Sequence, residues 1–228
     1  MHALILAAGR GARMEGLTES CPKPMLLLLG KPLLEWKMEM LPDEIDNIIL
    51  IIGYMGDTIR SYFGDTWKGK SITYIMQEEL NGTAGATALA KDVASFPLLV
   101  TMGDDLYTKE DLEHLLEEKA ALLVMYTDNA LRFGIIESTE DGYLKGVKER
   151  PHGMKEGLVS TNAILLPKEY FDIPMVPISA TEYGLPQTLS EMSKIKPVRL
   201  VEATKWLPIG TPDDVRLGEE FLRNFWIR

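Results

Sequence analysis

Apolar runs of strand length alternate with longer segments in which apolar residues return every three or four positions. "HALILA" (2–7), "NIILIIG" (47–53), "SITYIM" (71–76), "FPLLVTMG" (96–103) and "ALLVMYT" (121–127) read as five strands. Between them, "PLLEWKMEML" (32–41), "DTIRSYF" (57–63), "TAGATALAKDVA" (83–94) and "TKEDLEHLLEEKA" (108–120) carry the helical period. Asp57 is the expected N-cap of the second helix. Thr108 with Asp111 forms the expected capping box of the fourth. Strands apolar on both faces and separated by helices predict an α/β fold, a mostly parallel central sheet flanked by helices. The rhythm changes after about residue 130. "FGIIES" (133–138) and "YLKGVKE" (143–149) flank the turn "TEDG" as a hairpin. "LVSTNAILL" (158–166) and "PVRLVEA" (197–203) follow as strands, and "TPDDVRLGEEFLRNF" (211–225) closes as a helix. No linker separates the halves. Residues 1–228 are expected to form one domain, with 1–130 as the main sheet and 131–228 as a smaller hairpin or lid part over it.

Composition narrows the classes. In 228 residues, 46% are hydrophobic and 25% charged, ordinary for a soluble globular chain. No apolar stretch reaches the length of a membrane span, and "MHALILAAG" lacks a basic segment ahead of its apolar run, so it reads as a first strand rather than a secretion signal. One cysteine, Cys21, excludes an internal disulfide and fits a cytoplasmic protein. The net charge of -10 argues against a nucleic-acid partner. Residues 1–37 differ, with five basic side chains against three acidic ones. That local excess suits either a small-anion site or ordinary surface variation.

The chemistry gathers where the first strand ends. In "LILAAGRGARM" (4–14), Ala8, Gly9 and Gly11 would let backbone N–H groups approach an anion, with Arg10 and Arg13 beside them. Met14 replaces the third glycine of a dinucleotide fingerprint, and no Gly-Lys-Ser/Thr completes a P-loop. Taken alone, the stretch is either an anion cradle or a tight turn. Lys23 follows between Pro22 and Pro24, which restrict the backbone on both sides and so place the lysine.

Together, "LAAGRGARM…LT…PKPML" resembles the signature of sugar-1-phosphate nucleotidylyltransferases, which join a nucleoside triphosphate to a sugar 1-phosphate and release pyrophosphate. The resemblance implies a Rossmann-like nucleotidyltransferase fold over nearly the whole chain, with NTP and sugar 1-phosphate as partners and the smaller part binding the sugar. "QEELNGTAGA" resembles the base-reading segment, making Gln77, Gly82 and Thr83 nucleotide-binding. An amide can donate and accept against the edge of uracil or thymine, which favours UTP or dTTP. "LLVTMGDDLY" implies Asp104 as ligand of Mg²⁺, with Asp105 a turn or cap residue. Arg13, Lys23 and Asp104 are the implied catalytic set.

The second half matches more loosely. "LRFGIIE" implies Gly134 beside the sugar, "VKERP" implies Glu149 with Arg150 in place of the usual lysine, and "STNAILL" implies Asn162; each is alternatively a plain strand residue. One departure stands out. Where the family often reads Trp-x-Asp-x-Gly-Thr, with that acid helping to hold the metal, this chain reads "WLPIGTPDD", with Pro208 in the acid's place. Asp213 or Asp214 either substitutes or starts the last helix. Two other readings follow: a CTP-dependent cytidylyltransferase acting on phosphocholine or a similar phospho-alcohol, and a non-catalytic nucleotide-sugar sensor, which Pro208 motivates. The tail "EFLRNFWIR" packs Phe221, Phe225 and Trp226 either on the core or in a homo-oligomer, and leaves no room for an acyltransferase-type repeat domain. Scattered histidines (His2, His114, His152) and the lone cysteine suggest no zinc site.

Overall fold

Strand β1 (His2–Ala7) is the axis on which the rest is built. The computed structural model describes residues 1–14, 16–148 and 155–226. After β1 come β2 (Leu27–Leu28), β3 (Lys31–Pro32), α1 (Leu33–Glu39), β4 (Asn47–Ile52) and α2 (Gly56–Phe63). Then follow β5 (Thr66–Trp67), β6 (Lys70–Met76), α3 (Gly82–Ala88), β7 (Leu98–Met102), β8 (Asp105–Tyr107) and α4 (Lys109–Leu116). The second half holds β9 (Ala121–Thr127), β10 (Ile135–Ser138), β11 (Leu144–Lys148), β12 (Gly157–Leu166), α5 (Leu185–Ser193), β13 (Arg199–Glu202), β14 (Trp206–Pro208) and α6 (Pro212–Phe225).

The main sheet runs β11-β10-β12-β7-β1-β4-β6-β5, with β9 joining β12 to β13. Its centre, β7-β1-β4-β6, is parallel throughout. Hydrophobicity on both faces of these strands requires cover on both sides. Ala3, Ile5, Ile48 and Leu50 pack under Leu34 and Met38 of α1, Ile59 of α2 and Leu112 of α4. Leu4, Leu6, Ile49 and Ile51 face Ala86 of α3 and Leu185 and Leu189 of α5. Each such Leu or Ile contributes about 1.5–3 kcal/mol relative to exposure. The fold is thus the expected α/β arrangement, with a parallel centre. Beyond β7 the pairings of β12 with β7, β9 and β10 and of β10 with β11 are antiparallel, while β13 pairs parallel with β9, so the second half contributes β10, β11, β12 and β13 to the sheet itself. The expected hairpin forms as β10 and β11.

Two capping expectations are corrected. The cap of α2 is Met55 in a left-handed conformation (φ 52°), and Asp57 lies in the first turn. The reason is close packing: a Cβ on Gly56 would sit 2.9 Å from Ile52, so the helix starts hard against β4. At α4, Thr108 does accept from the Asp111 N–H at 3.2 Å. The Asp111 carboxylate, however, binds the backbone N–H groups of Thr204 and Lys205, tying α4 to the end of β13 instead of closing the box.

Helix α6 carries a full capping box between Thr211 and Asp214. Its Phe221 and Leu222 pack with Leu28, Trp36 and Leu106, so the tail covers the core of its own chain.

Candidate active site

All four central strands end at one edge, where ligands bind in open α/β sheets because loops and helix starts converge there. The chain leaves β1 through buried Ala7 and Ala8 and turns at exposed Gly9. Gly11 has φ 65°, a left-handed value that favours glycine. A Cβ there would also meet Lys23 Cβ and Thr18 Cγ2 at 3.1 Å, so the loop lies directly on the lysine stem. The one-turn helix Ala12–Met14 then presents Arg13 to solvent and drives Met14, fully buried, into the core. That anchoring explains why methionine stands where a dinucleotide fingerprint would need glycine.

Lys23 is buried between its two prolines and forms an ion pair with the Asp104 carboxylate, itself 30% exposed. Gly9, Gly11, Arg13, Lys23 and Asp104 line one pocket of about 220 Å³. A second pocket, of about 320 Å³, lies on the other side of the same loop and is lined by Ala8, Gln77, Gly82 and Thr83. Gln77 is buried, not exposed. Its Nε2 donates to Asn81 Oδ1 at 3.1 Å, which fixes the amide's orientation.

Gly82 is required by space as well as by its φ of 90°: a Cβ would lie 2.4 Å from the Tyr183 carbonyl oxygen. Tyr183 clasps this segment, donating to Asn81 O at 2.9 Å and accepting from the Ala84 N–H at 3.0 Å. The Thr83 hydroxyl accepts from the Leu185 N–H at the start of α5.

Further pockets continue from there. Thr83, Gly134, Ser160, Asn162 and Gln187 line a pocket of about 310 Å³. Arg13, Asp104, Asn162 and Pro208 share a further one of about 190 Å³ that joins it to the loop. Ala8, Gly9, Gly11, Arg13, Lys23, Gln77, Gly82, Thr83, Asp104, Gly134 and Asn162 therefore line four adjoining pockets that share lining residues. Glu149, Arg150 and His152 lie outside the described residues.

Behind Asp104 is a buried polar group that the motifs did not reveal. Lys37 of α1 is fully buried, donates to the Asp105 carbonyl at 3.2 Å and sits 3.6 Å from the Tyr107 ring centroid. Burial pushes the Asp105 carboxyl up, with the neighbouring Asp104 charge adding to the effect. Burial likewise pushes the Lys37 ammonium down, against the attraction of Asp105 and Asp104. Asp105 is therefore neither a turn nor a cap residue; it pairs with Pro208 across β8 and β14 and looks into the core. The helical period of α1 gives no sign that position 37 is buried. The segment before α5, with Glu182 lining the Gln77 pocket and Tyr183 clasping Gly82, has no periodicity that could have found it.

A divalent cation must be fitted to this donor set. Asp214 is committed, accepting from the Gly210 and Thr211 N–H groups at 2.8 Å. Pro208 offers no side-chain donor, and among the described residues no cluster of three His, Cys, Asp or Glu could enclose a metal. The Asp104 carboxylate remains, partly exposed between two pockets. One carboxylate fits a hard cation that takes its other oxygens from phosphates and water.

This chain belongs to the nucleotidyl transferase family, whose sequence profile matches residues 2–224. The bifunctional protein GlmU of Methanocaldococcus jannaschii is 32% identical over 225 residues, covering 97% of this chain and 54% of GlmU. The chain thus spans about half the length of that relative. The UTP–glucose-1-phosphate uridylyltransferase AglF of Haloferax volcanii is 28% identical, covering 98% of this chain and 97% of AglF. Among solved structures, a UTP-bound UGPase from Acinetobacter baumannii superposes with a TM-score of 0.85 at 17% identity, over 97% of this chain and 93% of the other. This likeness carries the fold.

Proposed function

We propose that the chain transfers a nucleotidyl group from UTP or dTTP to a sugar 1-phosphate, giving an NDP-sugar and pyrophosphate. The observation that carries this reading is the row of adjoining pockets, with a loop of backbone amides and cations between a pocket holding a buried amide and a pocket reaching Asn162. The activities for which AglF and a Campylobacter jejuni heptose 1-phosphate guanylyltransferase are named support a sugar-phosphate acceptor over a phospho-alcohol.

In this reading the sugar phosphate supplies the nucleophile already ionised, so no enzyme nucleophile is needed. An acceptor phosphate oxygen attacks the α-phosphorus and the bond to the pyrophosphate oxygen breaks in line. The protein's task is to align two anions and stabilise the charge of the transferring group. The Gly9–Gly11 amides and Arg13 hold the departing phosphates. Lys23, paired with Asp104 in the free protein, turns its ammonium to the α-phosphate when the anion arrives. Gln77 reads the N3–H and O4 edge of the base; Gly134, Asn162 and Glu149 receive the sugar. Mg²⁺ on Asp104 would supply further charge neutralisation to the phosphates. One domain does both jobs, residues 1–130 on the nucleotide side and 131–228 on the sugar side.

No described helix is long and apolar enough to cross a membrane. The single cysteine and substrates of this class support a cytoplasmic setting.

The test is pyrophosphate release from a panel of triphosphates and sugar 1-phosphates. Turnover with UTP or dTTP and a sugar 1-phosphate is expected. Turnover with CTP and phosphocholine alone, or nucleotide binding with no turnover at all, would contradict the reading.

A further inference from the structure

Strand β12 breaks its ladder where it enters the cleft. Ser160 pairs with Val124 and Ile164 with Leu122, so residues 161–163 stand opposite Leu123 alone. Such a bulge re-aims a side chain at the cost of ladder bonds. The Thr161 hydroxyl takes the Leu123 carbonyl at 2.9 Å. Asn162 adopts φ 60°, a conformation that L residues other than Asn and Asp rarely visit, and it lines both acceptor-side pockets. The Ser160 hydroxyl steadies it locally, accepting the Asn162 N–H at 3.0 Å.

The remaining restraint comes from another strand. Tyr107 is fully buried, and its hydroxyl donates to the Thr161 carbonyl at 2.7 Å. A second contact, 3.2 Å to Asp105 Oδ2, joins the same hydroxyl to the residue after Asp104. Lys37 over the ring leaves it little freedom to turn. One phenol thus links the carboxyl of Asp105, the residue after Asp104, to the bulge that presents Asn162.

We propose that Tyr107 is a positioning residue for the acceptor: by holding the Thr161 carbonyl it keeps Asn162 turned into the pocket and in register with Asp104. This rests on the reading of that pocket as the sugar-phosphate site. The tyrosine itself touches no substrate.

The test is Tyr107→Phe, which keeps the ring and its packing and removes the bonded oxygen. The KM for the sugar 1-phosphate is expected to rise about tenfold, the effect of one buried hydrogen bond, while the KM for the triphosphate changes by less than about twofold. In an Asn162→Gly background the same substitution is expected to add less than about twofold, because the side chain it positions is gone. The crystal structure of Tyr107→Phe should show Asn162 out of the left-handed region. Equal changes in both KM values, no change in either, an undisturbed Asn162, or failure of the variant to fold would each overturn the proposal. If the unsubstituted protein turns over no sugar 1-phosphate, the proposed function fails, and the crystal structure still decides whether Tyr107 holds Asn162.

Discussion

Replacing Lys23 by Met separates the charge at this position from its packing. The stem of Lys23 lies against Gly11, and an unbranched thioether keeps that contact. What disappears is the ammonium paired with Asp104. The two consequences differ in size. In the free protein the Asp104 carboxylate loses its partner, but at 30% exposure water can replace it, so the cost is about 1 kcal/mol. For a chain of 228 residues that lowers the melting temperature by about 2–4 °C. In the reaction, a fixed donor aimed at the transferring phosphate is lost inside a partly enclosed site, which costs about 10²–10³ in kcat, or about 2.7–4 kcal/mol. The assay is a coupled measurement of pyrophosphate release at saturating substrates, beside a thermal melt of the same preparation. A large loss of kcat with a nearly native melt is expected. A kcat close to that of the parent would refute the role given to Lys23, and a rate loss matched by a collapsed melt would show that the lysine serves the fold.

Gly82→Ala should destabilise the protein by more than about 1–3 kcal/mol in urea unfolding, since it adds a clash with the Tyr183 carbonyl to an unfavourable positive φ; an unchanged midpoint would contradict this. Pro208→Asp adds a carboxylate to the pocket that Asp104 and Asp105 line, so half-maximal activity should need less Mg²⁺; an unaltered metal titration would separate position 208 from the metal. Burial raises the Glu39 carboxyl, but hydrogen bonds and charge from Lys31 and Lys68 outweigh it and hold its pKa below the usual value. A carboxyl depressed in the folded state stabilises above its unfolded pKa and loses that contribution as pH falls through the folded one. Glu39→Gln should therefore be less stable than the parent at pH 7, with the gap closing below about pH 4; a gap independent of pH would rule the ion pairs out as its source.

The parallel centre was legible because β1, β4 and β7 are buried on both faces and so written as unbroken apolar runs, a pattern that few alternatives share. The residues of the loop pocket were legible for a related reason: Gly9, Gly11 and Lys23 lie close in sequence and need unusual backbone, which glycine and proline mark locally. The pocket around Asn162 was not legible in the same way. Asn162 reaches the cleft through a bulge, and nothing in "STNAILL" reports that the ladder slips there. Lys37 reads as one more charge on an amphipathic helix, and only the tertiary fold reveals that it points inward at Asp105 and Tyr107. The helix caps failed where packing and tertiary bonds decided them: Gly56 abuts Ile52 four residues back, so α2 starts ahead of Asp57, and the Asp111 carboxylate of α4 is drawn to the distant Thr204 and Lys205 N–H groups.

The central claim is that the loop after β1 grips a triphosphate between a base-reading amide and a metal-ready carboxylate. A crystal structure with a non-hydrolysable UTP analogue and Mg²⁺ tests it most directly. The account predicts phosphates against the Gly9–Gly11 amides, Arg13 and Lys23, with the uracil edge on Gln77. A nucleotide bound elsewhere, or one that leaves Lys23 and Asp104 still paired and untouched, would contradict it.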